Sequence, residues 1–213
     1  MDLIKYAVNT GKKNMQIDSD LLDSAISNKN TEPIFRLYGW KPKCISLGRN
    51  QNDLFLKDTN IDCVRRLTGG RALLHDDEVT YSCITPIDII PNGQSVTESY
   101  KFISGILIDF FKTLGVTLNY GSNKKVSTHY DYCMLLSTGA DVCYDGKKII
   151  GSAQFRKEGY ILQHGSILFG YNKELLESLF NEEVKGITTV AEILPSISKE
   201  VFVRELEHYV NQL

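Results

Sequence analysis

Three arginines surround a pair of glycines in the segment RRLTGGR, residues 65–71. Glycine allows unusual main-chain dihedral angles and close approach to a ligand. Guanidinium groups donate paired hydrogen bonds to carboxylates and phosphates. Neither GxxxxGK[ST] nor GxGxxG is present, so this is not a Walker loop or a dinucleotide fingerprint. It is either an anion-binding loop or a turn with solvated arginines. The candidate binding residues are Arg65, Arg66, Thr68, Gly69, Gly70 and Arg71.

A second segment with possible chemistry is KKIIGSAQ, residues 147–154. Small residues within a strand usually mark close approach by another backbone or by a ligand. Lys148 precedes them and could stabilise negative charge on a carbonyl oxygen, although many lysines after turns are simply exposed. The candidate binding residues that follow it are Gly151, Ser152, Ala153 and Gln154.

Two histidines are further candidates. His164 and Gly165 lie in the next predicted strand, where Gly165 could pack beside Gly151. His164 could bind substrate or act as a base. His75 follows the glycine pair and precedes three acidic residues. For both histidines, a structural role is the commoner alternative.

The chain has five cysteines, an odd number whose spacings fit no zinc site. Free cysteines are most often small buried hydrophobic residues, and Cys63, Cys83 and Cys143 fall in predicted strands. Cys133 instead follows Lys124, Lys125 and His129 in a less regular stretch. A thiol near cations can be held as a nucleophilic thiolate, so Cys133 is the cysteine placed for catalysis.

The bulk composition is that of an ordinary globular protein, with 42% hydrophobic and 23% charged residues. The net charge of −2 does not favour nucleic acid as a partner. No apolar run reaches the ~20 residues of a membrane span, and the first residues lack a signal-peptide core. The length of 213 residues allows one large domain or a small pair, and we expect a cytoplasmic location and no metal site.

Periodicity predicts an α+β fold. Helical spacing appears near 13–28, after a capping box at Ser95 and Glu98, and over 198–213. Strand patterns appear at 33–40, 44–48, 62–67, 79–85, 141–144, 148–155 and 160–170. The tight turns DGKK and RKEG join the last three, which indicates an antiparallel or mixed sheet flanked by helices.

The chain resembles the biotin/lipoate A/B protein ligase family, the catalytic domains that attach lipoate, octanoate or biotin to proteins. The resemblance rests on RRLTGGRALLHDDEVTYS (65–82) and KKIIGSAQFRKEGYILQHGSIL (147–168). Weaker matches occur at 14–22, 35–51 and 185–194. It implies a fold like that of class II aminoacyl-tRNA synthetases and biotin synthetases, and a single catalytic domain over 1–213 without an accessory domain.

Within that family, lipoate–protein ligases usually carry TGGGAV, whereas this chain has TGGRAL with Arg71. Arg71 resembles the octanoyltransferases of Gram-positive bacteria, which take octanoyl from acyl carrier protein through a cysteine thioester. Their nucleophile precedes the motif lysine by fifteen positions, as Cys133 precedes Lys148 here. SLGRNQN at 46–52 instead resembles the ligases, and the residues after Cys133 depart from the acidic and aromatic pattern of the octanoyltransferases.

The resemblance implies that Cys133 is the nucleophile and that Lys148 stabilises the oxyanion. Either His164 or Lys148 would accept the proton of the incoming amine. The expected tunnel walls include Leu73, Tyr81, Ile84, Gly151 and Ala153, and the expected docking cations are Arg65, Arg66, Arg71, Lys124, Lys125 and Arg156.

The implied donor is octanoyl-acyl carrier protein. The implied acceptor is an apo lipoyl-domain protein, such as the glycine cleavage H protein or a dehydrogenase E2 subunit. Octanoyl transfer would need no cofactor. The alternatives are an ATP- and magnesium-dependent lipoate–protein ligase, an enzyme that transfers lipoyl, and a non-catalytic lipoyl- or biotinyl-binding protein.

Overall fold

The structure is a computed structural model that describes residues 1–52, 59–121 and 141–213. Its strands are β1 (Asp2–Asn9), β2 (Ile34–Trp40), β3 (Cys44–Leu47), β4 (Asp62–Arg65), β5 (Leu73–His75), β6 (Glu78–Pro86), β7 (Asn119–Tyr120), β8 (Val142–Tyr144), β9 (Lys147–Lys157) and β10 (Tyr160–Leu168). Its helices are α1 (Gly11–Ser27), α2 (Val96–Thr113), α3 (Lys173–Phe180), α4 (Val190–Ile193) and α5 (Lys199–Val210), with a 3₁₀ turn at Ile87–Ile89.

Two sheets organise these strands. A seven-stranded sheet has the order β1-β2-β6-β10-β9-β8-β7, and a three-stranded sheet has the order β4-β3-β5. In the large sheet β1 and β2 are parallel and the remaining pairs are antiparallel. In the small sheet β3 runs parallel to β4 and antiparallel to β5. The predicted mixed sheet flanked by helices is confirmed.

At the start of each α-helix in the described residues, the side chain of the N-cap residue accepts a hydrogen bond from a backbone N–H of the first turn. Ser95 Oγ accepts the Glu98 N–H at 3.4 Å, which confirms one half of the predicted capping box, while the Glu98 carboxylate pairs with Lys101 instead. Thr10 caps α1, so this helix begins earlier than the sequence pattern indicated. No helix in the described ranges is long and apolar enough to cross a membrane.

The large sheet buries a different set of side chains on each face, because successive residues of a strand point to opposite sides. On β6, Val79, Tyr81 and Cys83 join the apolar cluster of α2 and α5. Ile84 packs on the other face with Leu22 of α1. The three-stranded sheet has its own apolar cluster, shared with α3. The large sheet is therefore covered on one face by α2 and α5, and α1 packs against the other face.

Candidate active site

A cleft lies against the α1 face of the large sheet, beside the small sheet. The space between its walls is about 380 Å³ when the part open to solvent is included, and about 30 Å³ of it can hold the centre of a water molecule. Its walls are Met15, Tyr38, Trp40, Ser46, Arg66, Leu73, His75, Thr80, Gly151, Ser152, Ala153, His164, Gly165 and Ser166.

The tunnel walls predicted from sequence are partly right. Leu73, Gly151 and Ala153 line the cleft as expected. Tyr81 was wrongly assigned, because its side chain joins the cluster of α2 and α5 on the opposite face. Ile84 was also wrong, since it faces α1 away from the cleft and packs with Leu22. The alternation of β6 explains the error at Tyr81, because Thr80 is the β6 residue that lines the cleft. Ile84 shares the face of Thr80 but lies four residues further along the strand, beyond the cleft.

Arg66 organises the glycine loop. Its guanidinium is buried, with 7% exposure of the residue. It donates to Thr68 Oγ1 at 3.1 Å, to the Ser46 carbonyl at 2.9 Å, and to the Gly69 and Arg71 carbonyls at 2.8 and 2.7 Å. Arg66 is therefore not a solvated turn arginine, because its donors hold the main chain of the loop in place.

The two glycines of the loop differ in whether the structure would accept a side chain at their position. Gly70 has φ +93°, a conformation that side chains disfavour. A Cβ at Gly69 would meet no atom within 4 Å, so packing does not explain the absence of a side chain there. Sequence reasoning missed a third glycine, Gly48, where a Cβ would overlap the Gly70 carbonyl.

Arg65 and Arg71 lie at either side of this loop. Arg65 is exposed, and its guanidinium donates to the Gly48 carbonyl at 2.9 Å and the Gln51 carbonyl at 2.6 Å. Arg71 is half-buried. Their predicted role in binding substrate stays a prediction.

His164 is held between two partners beneath the cleft. Its Nδ1 lies 3.3 Å from Asp18 Oδ2, and its Nε2 lies 2.7 Å from Thr68 Oγ1. Burial lowers the pKa of His164, although Asp18 opposes that shift. We assign the Nδ1 proton to the Asp18 contact, since a carboxylate only accepts. Thr68 Oγ1 already accepts from Arg66, so its own proton points at Nε2.

Asp18 is the buried anion that sequence reasoning missed. It accepts hydrogen bonds from Arg36 at 2.7 Å, Tyr38 at 2.9 Å and Ser82 at 2.9 Å, besides the His164 contact. Burial by itself would raise the pKa of Asp18, but the His164 and Arg36 contacts outweigh burial and the pKa is lowered. One available signal was its position: Asp18 shares the buried face of α1 with Leu22 and Ala25.

His75 belongs to a second buried network. Its Nδ1 lies 2.5 Å from Glu78 Oε1 and its Nε2 lies 2.7 Å from Ser46 Oγ. The Trp40 ring stacks on it, with centroids 3.7 Å apart, and Trp40 Nε1 donates to Thr80 at 2.7 Å. Burial would raise the pKa of Glu78, but His75 outweighs burial and the pKa is lowered. His75 therefore fixes the Trp40 wall of the cleft.

A bulge in β9 sets the direction of Lys148. Val142 pairs with Ile150 and Cys143 pairs with Lys148, so Ile149 is an extra residue. Ile149 and Ile150 both enter the cluster of α2 and α5. Bulges re-aim the neighbouring side chains, so Lys148 falls on the face of the sheet that carries Gly151, although it is not among the residues that line the cleft.

Lys148 is buried there beside a carboxylate. Its Nζ lies 2.9 Å from Asp141 Oδ1, with side-chain exposures of 1% and 5%. Its main chain exchanges hydrogen bonds with Gly186 and Thr188, each 2.9 Å. Between these, Ile187 packs in the cluster of the small sheet. Lys148 is thus not the exposed lysine of the alternative interpretation.

Gln154 points away from the cleft. Its amide donates to Gln163 at 2.7 Å and accepts from Ser99 of α2 at 3.2 Å. Ser152 Oγ lies 2.8 Å from Tyr81 on that same face. Gly151 and Ala153 are therefore the two small residues of this segment that lie on the cleft side of β9.

Cys133 lies outside the described residues, as do Lys124 and Lys125. Among the described cysteines, burial raises the pKa values of Cys44 and Cys83 to about 12, which disfavours thiolate chemistry. Cys143 is buried, as predicted, whereas Cys63 is exposed.

Arg156, a predicted docking cation, donates hydrogen bonds to the main chain of this protein. Its guanidinium reaches the carbonyls of Gly93 at 3.0 Å and Gln94 at 3.1 Å. It thereby holds the segment that leads into α2. Any contact with a partner protein stays a prediction.

Octanoyltransferases are among the known proteins that this chain resembles in sequence. The octanoyltransferase LipM of Geobacillus kaustophilus is 40% identical over 191 residues, covering 81% of this chain and 67% of the relative. LipM of Staphylococcus aureus is 39% identical over 202 residues, covering 84% and 71%. This chain thus matches about two thirds of the length of these relatives.

Solved structures share the fold. A lipoate-protein ligase A bound with ATP has a TM-score of 0.74 and 20% identity, covering 99% of this chain and 84% of that chain. A bi-partite lipoate protein ligase from Thermoplasma acidophilum has a TM-score of 0.69 and 17% identity, covering 99% and 82%. The resemblance seen in the two long motifs is confirmed. The family model described as the lipoyl protein ligase A/B catalytic domain matches residues 10–211, and the chain belongs to that family.

Proposed function

We propose that this protein is an acyltransferase that moves an octanoyl group to a lysine of a lipoyl-domain protein. One observation carries the proposal: an apolar cleft whose β9 wall continues to the buried Lys148–Asp141 pair. Relatives at 36–40% identity over 79–84% of the chain, all named octanoyltransferase, support this activity.

The cleft suits a saturated chain. Its walls include Leu73, Trp40, Gly151 and Ala153, which offer an apolar chain few polar partners. Burial contributes about 0.8 kcal/mol per methylene. The seven methylene and methyl carbons of an octanoyl group would therefore contribute about 6 kcal/mol if all were buried.

Lys148 would act on the carbonyl end. A buried ammonium in a site of low dielectric stabilises a developing oxyanion more strongly than it would in water. Asp141 holds it in position at 2.9 Å. Removing the lysine would also take this cation away from Asp141, which is 3% exposed, so stability must be measured beside activity.

Cys133 is the proposed nucleophile. Its thiolate attacks the thioester carbonyl of octanoyl-acyl carrier protein, and the carrier thiol leaves as the acyl-enzyme forms. The unprotonated lysine amine of the acceptor then attacks the acyl-enzyme carbonyl, the C–S bond breaks, and the proton lost by the nitrogen passes to the departing Cys133 sulfur or to water. Cys133 is eight residues before Asp141, and eight residues span at most about 29 Å. Chain length therefore does not prevent the sulfur from reaching Lys148.

His164 is proposed as a positioning residue. Its lowered pKa and its engaged Nδ1 and Nε2 make it a poor acceptor for the amine proton. It would instead hold Thr68, and through Arg66 the glycine loop.

The proposed donor is octanoyl-acyl carrier protein, and the acceptor is a lipoyl-domain protein such as the glycine cleavage H protein or a dehydrogenase E2 subunit. Both classes of partner are typically acidic, so exposed cations such as Arg65 would favour docking. The octanoyl route needs no ATP, whereas the ligase alternative needs ATP and magnesium.

Mass spectrometry tests the proposal. Incubating the protein with octanoyl-acyl carrier protein should add about 126 Da to the wild type and to Cys63→Ala, but not to Cys133→Ala. Octanoyl should reach the H protein only with the first two. A fully active Cys133→Ala variant would exclude the thioester route.

The alternatives give other results. Modification from free lipoate that requires ATP, and that Cys133→Ala retains, would establish the ligase. Donor binding without any adduct or transfer would establish a non-catalytic binder.

A further inference from the structure

Met15 of α1 separates the cleft from a second, more open space. It lines the cleft together with Tyr38 and Trp40. It also lines an outer groove of about 420 Å³, whose other walls include Lys12, Cys63 and Arg65. Met15 is half-buried and packs against the cluster of Tyr38, Trp40 and Cys44.

The cleft follows one row of cross-strand neighbours. Tyr38 of β2 pairs with Thr80 of β6, Thr80 pairs with Ser166 of β10, and Ser166 pairs with Gly151 of β9. All four residues line the cleft. Adjacent strands lie about 4.8 Å apart, so the three steps from β9 to β2 span about 14 Å.

This distance exceeds the length of the proposed acyl group itself, and it is close to that length once a van der Waals contact of about 4 Å at the methyl end is added. An extended chain advances about 1.2 Å per bond, judged from the span of three backbone bonds per residue, so eight carbons extend about 8–9 Å. Lys148 and Gly151 are on β9, at one end of the row. A chain with its carbonyl at Gly151 would end above Thr80, about one strand spacing from Tyr38. The side chains of Tyr38 and Met15, which pack together and line the cleft, would close the remaining space beyond its methyl group.

We propose that Met15 is the end wall that limits the acyl chain to about eight carbons, an inference that rests on the proposed octanoyl transfer. Shortening Met15 would join the cleft to the outer groove and admit longer chains. A bulkier side chain would shorten the cleft.

Trp40 allows occupancy to be measured without catalysis. It is the one tryptophan of the chain, and it lines the cleft beside Met15. Titrating hexanoate, octanoate, decanoate and dodecanoate against tryptophan fluorescence gives the affinity for each length. The control is Gln16→Ala, since Gln16 lines the outer groove and its amide contacts Asp20 at the surface.

Each buried methylene changes affinity about fourfold. We expect Met15→Ala to increase the decanoate-to-octanoate affinity ratio about 15-fold over the wild type. Met15→Phe should favour hexanoate, and Gln16→Ala should match the wild type. Transfer from acyl carrier proteins loaded with the same acyl groups should shift in parallel.

An unchanged length profile in Met15→Ala and Met15→Phe would overturn the proposal. Thermal unfolding identifies a variant that fails to fold, in which case the other one decides. A wild type that binds fatty acids but transfers no octanoyl would refute the proposed function alone, because the fluorescence profile would still report on Met15.

Discussion

Replacing Asp18 with asparagine should strongly destabilise the protein. The asparagine side chain would keep the shape of the aspartate but lose its charge. Its amide nitrogen is a hydrogen-bond donor and would face other donors at a position where the carboxylate oxygen accepted. Arg36 would lose an ion pair of 2.7 Å whose side chains are 3% and 2% exposed. Tyr38, Ser82 and His164 would each lose an anionic acceptor.

The size of the effect follows from the burial of Arg36. Removing one partner of a buried ion pair costs about 3–5 kcal/mol, because the remaining charge stays desolvated. Arg36 retains contacts with Asn14 Oδ1 at 2.6 Å and the Asn14 carbonyl at 3.3 Å, which places the cost toward the lower end. At about 2–4 °C per kcal/mol for this chain length, the midpoint of thermal unfolding should fall by about 6–20 °C.

Urea and thermal denaturation, followed by circular dichroism, measure this change. The matched control is Asp23→Asn on the same helix. Asp23 Oδ1 lies 2.8 Å from Lys157 Nζ, but the Asp23 and Lys157 side chains are 56% and 41% exposed. Such a surface pair contributes at most about 1 kcal/mol. Asp18→Asn combined with Arg36→Met should recover part of the loss, since the uncompensated charge is gone. Equal losses in Asp18→Asn and Asp23→Asn would refute the reasoning.

Two further predictions concern the same loop and its support. Burial lowers the pKa of His164, so below about pH 6.5 the unfolded chain binds a proton that the folded chain does not. Stability should therefore decrease as the pH falls from about 7 toward 5. His164→Gln should flatten that slope and His208→Gln, an exposed control, should not; equal slopes in both variants would contradict the buried neutral histidine. Gly69→Ala meets no atom within 4 Å, so its unfolding midpoint in urea should match the wild type while the KM for the acyl donor rises. Gly70→Ala, at φ +93°, should lower the free energy of unfolding by at least about 1 kcal/mol. An unchanged KM in Gly69→Ala would show that no ligand approaches this loop.

The sequence specified most of the secondary structure, because each strong element carries its own local signal. Alternating apolar residues predicted β9 and β10, and the apolar stripe and cap predicted α2. The first strand, Asp2–Asn9, was missed since it lies at the edge of the sheet and shows no clean alternation. Helix α3 has only eight residues, too few for a clear helical period.

The sequence also named much of the candidate site. The two motifs contributed Arg66, His75, Gly151, Ala153 and His164 to the cleft. Gly151 and Ala153 were informative because small residues within a strand usually mark close approach by another backbone or by a ligand. What the polar residues of the site touch was not predictable, because hydrogen-bond partners such as Asp18 and Ser46 are distant in the chain.

The tertiary structure alone decided to which face of the sheet these side chains point. A one-residue bulge turned Lys148 to the face that carries Gly151, and strand alternation sent Tyr81 to the opposite face. Folding also buried Arg66 under the glycine loop. Local sequence determines which element forms and which residues it carries. The register between strands and the packing of α1 on the sheet depend on contacts between distant segments, and these contacts determine which side chains meet in the cleft.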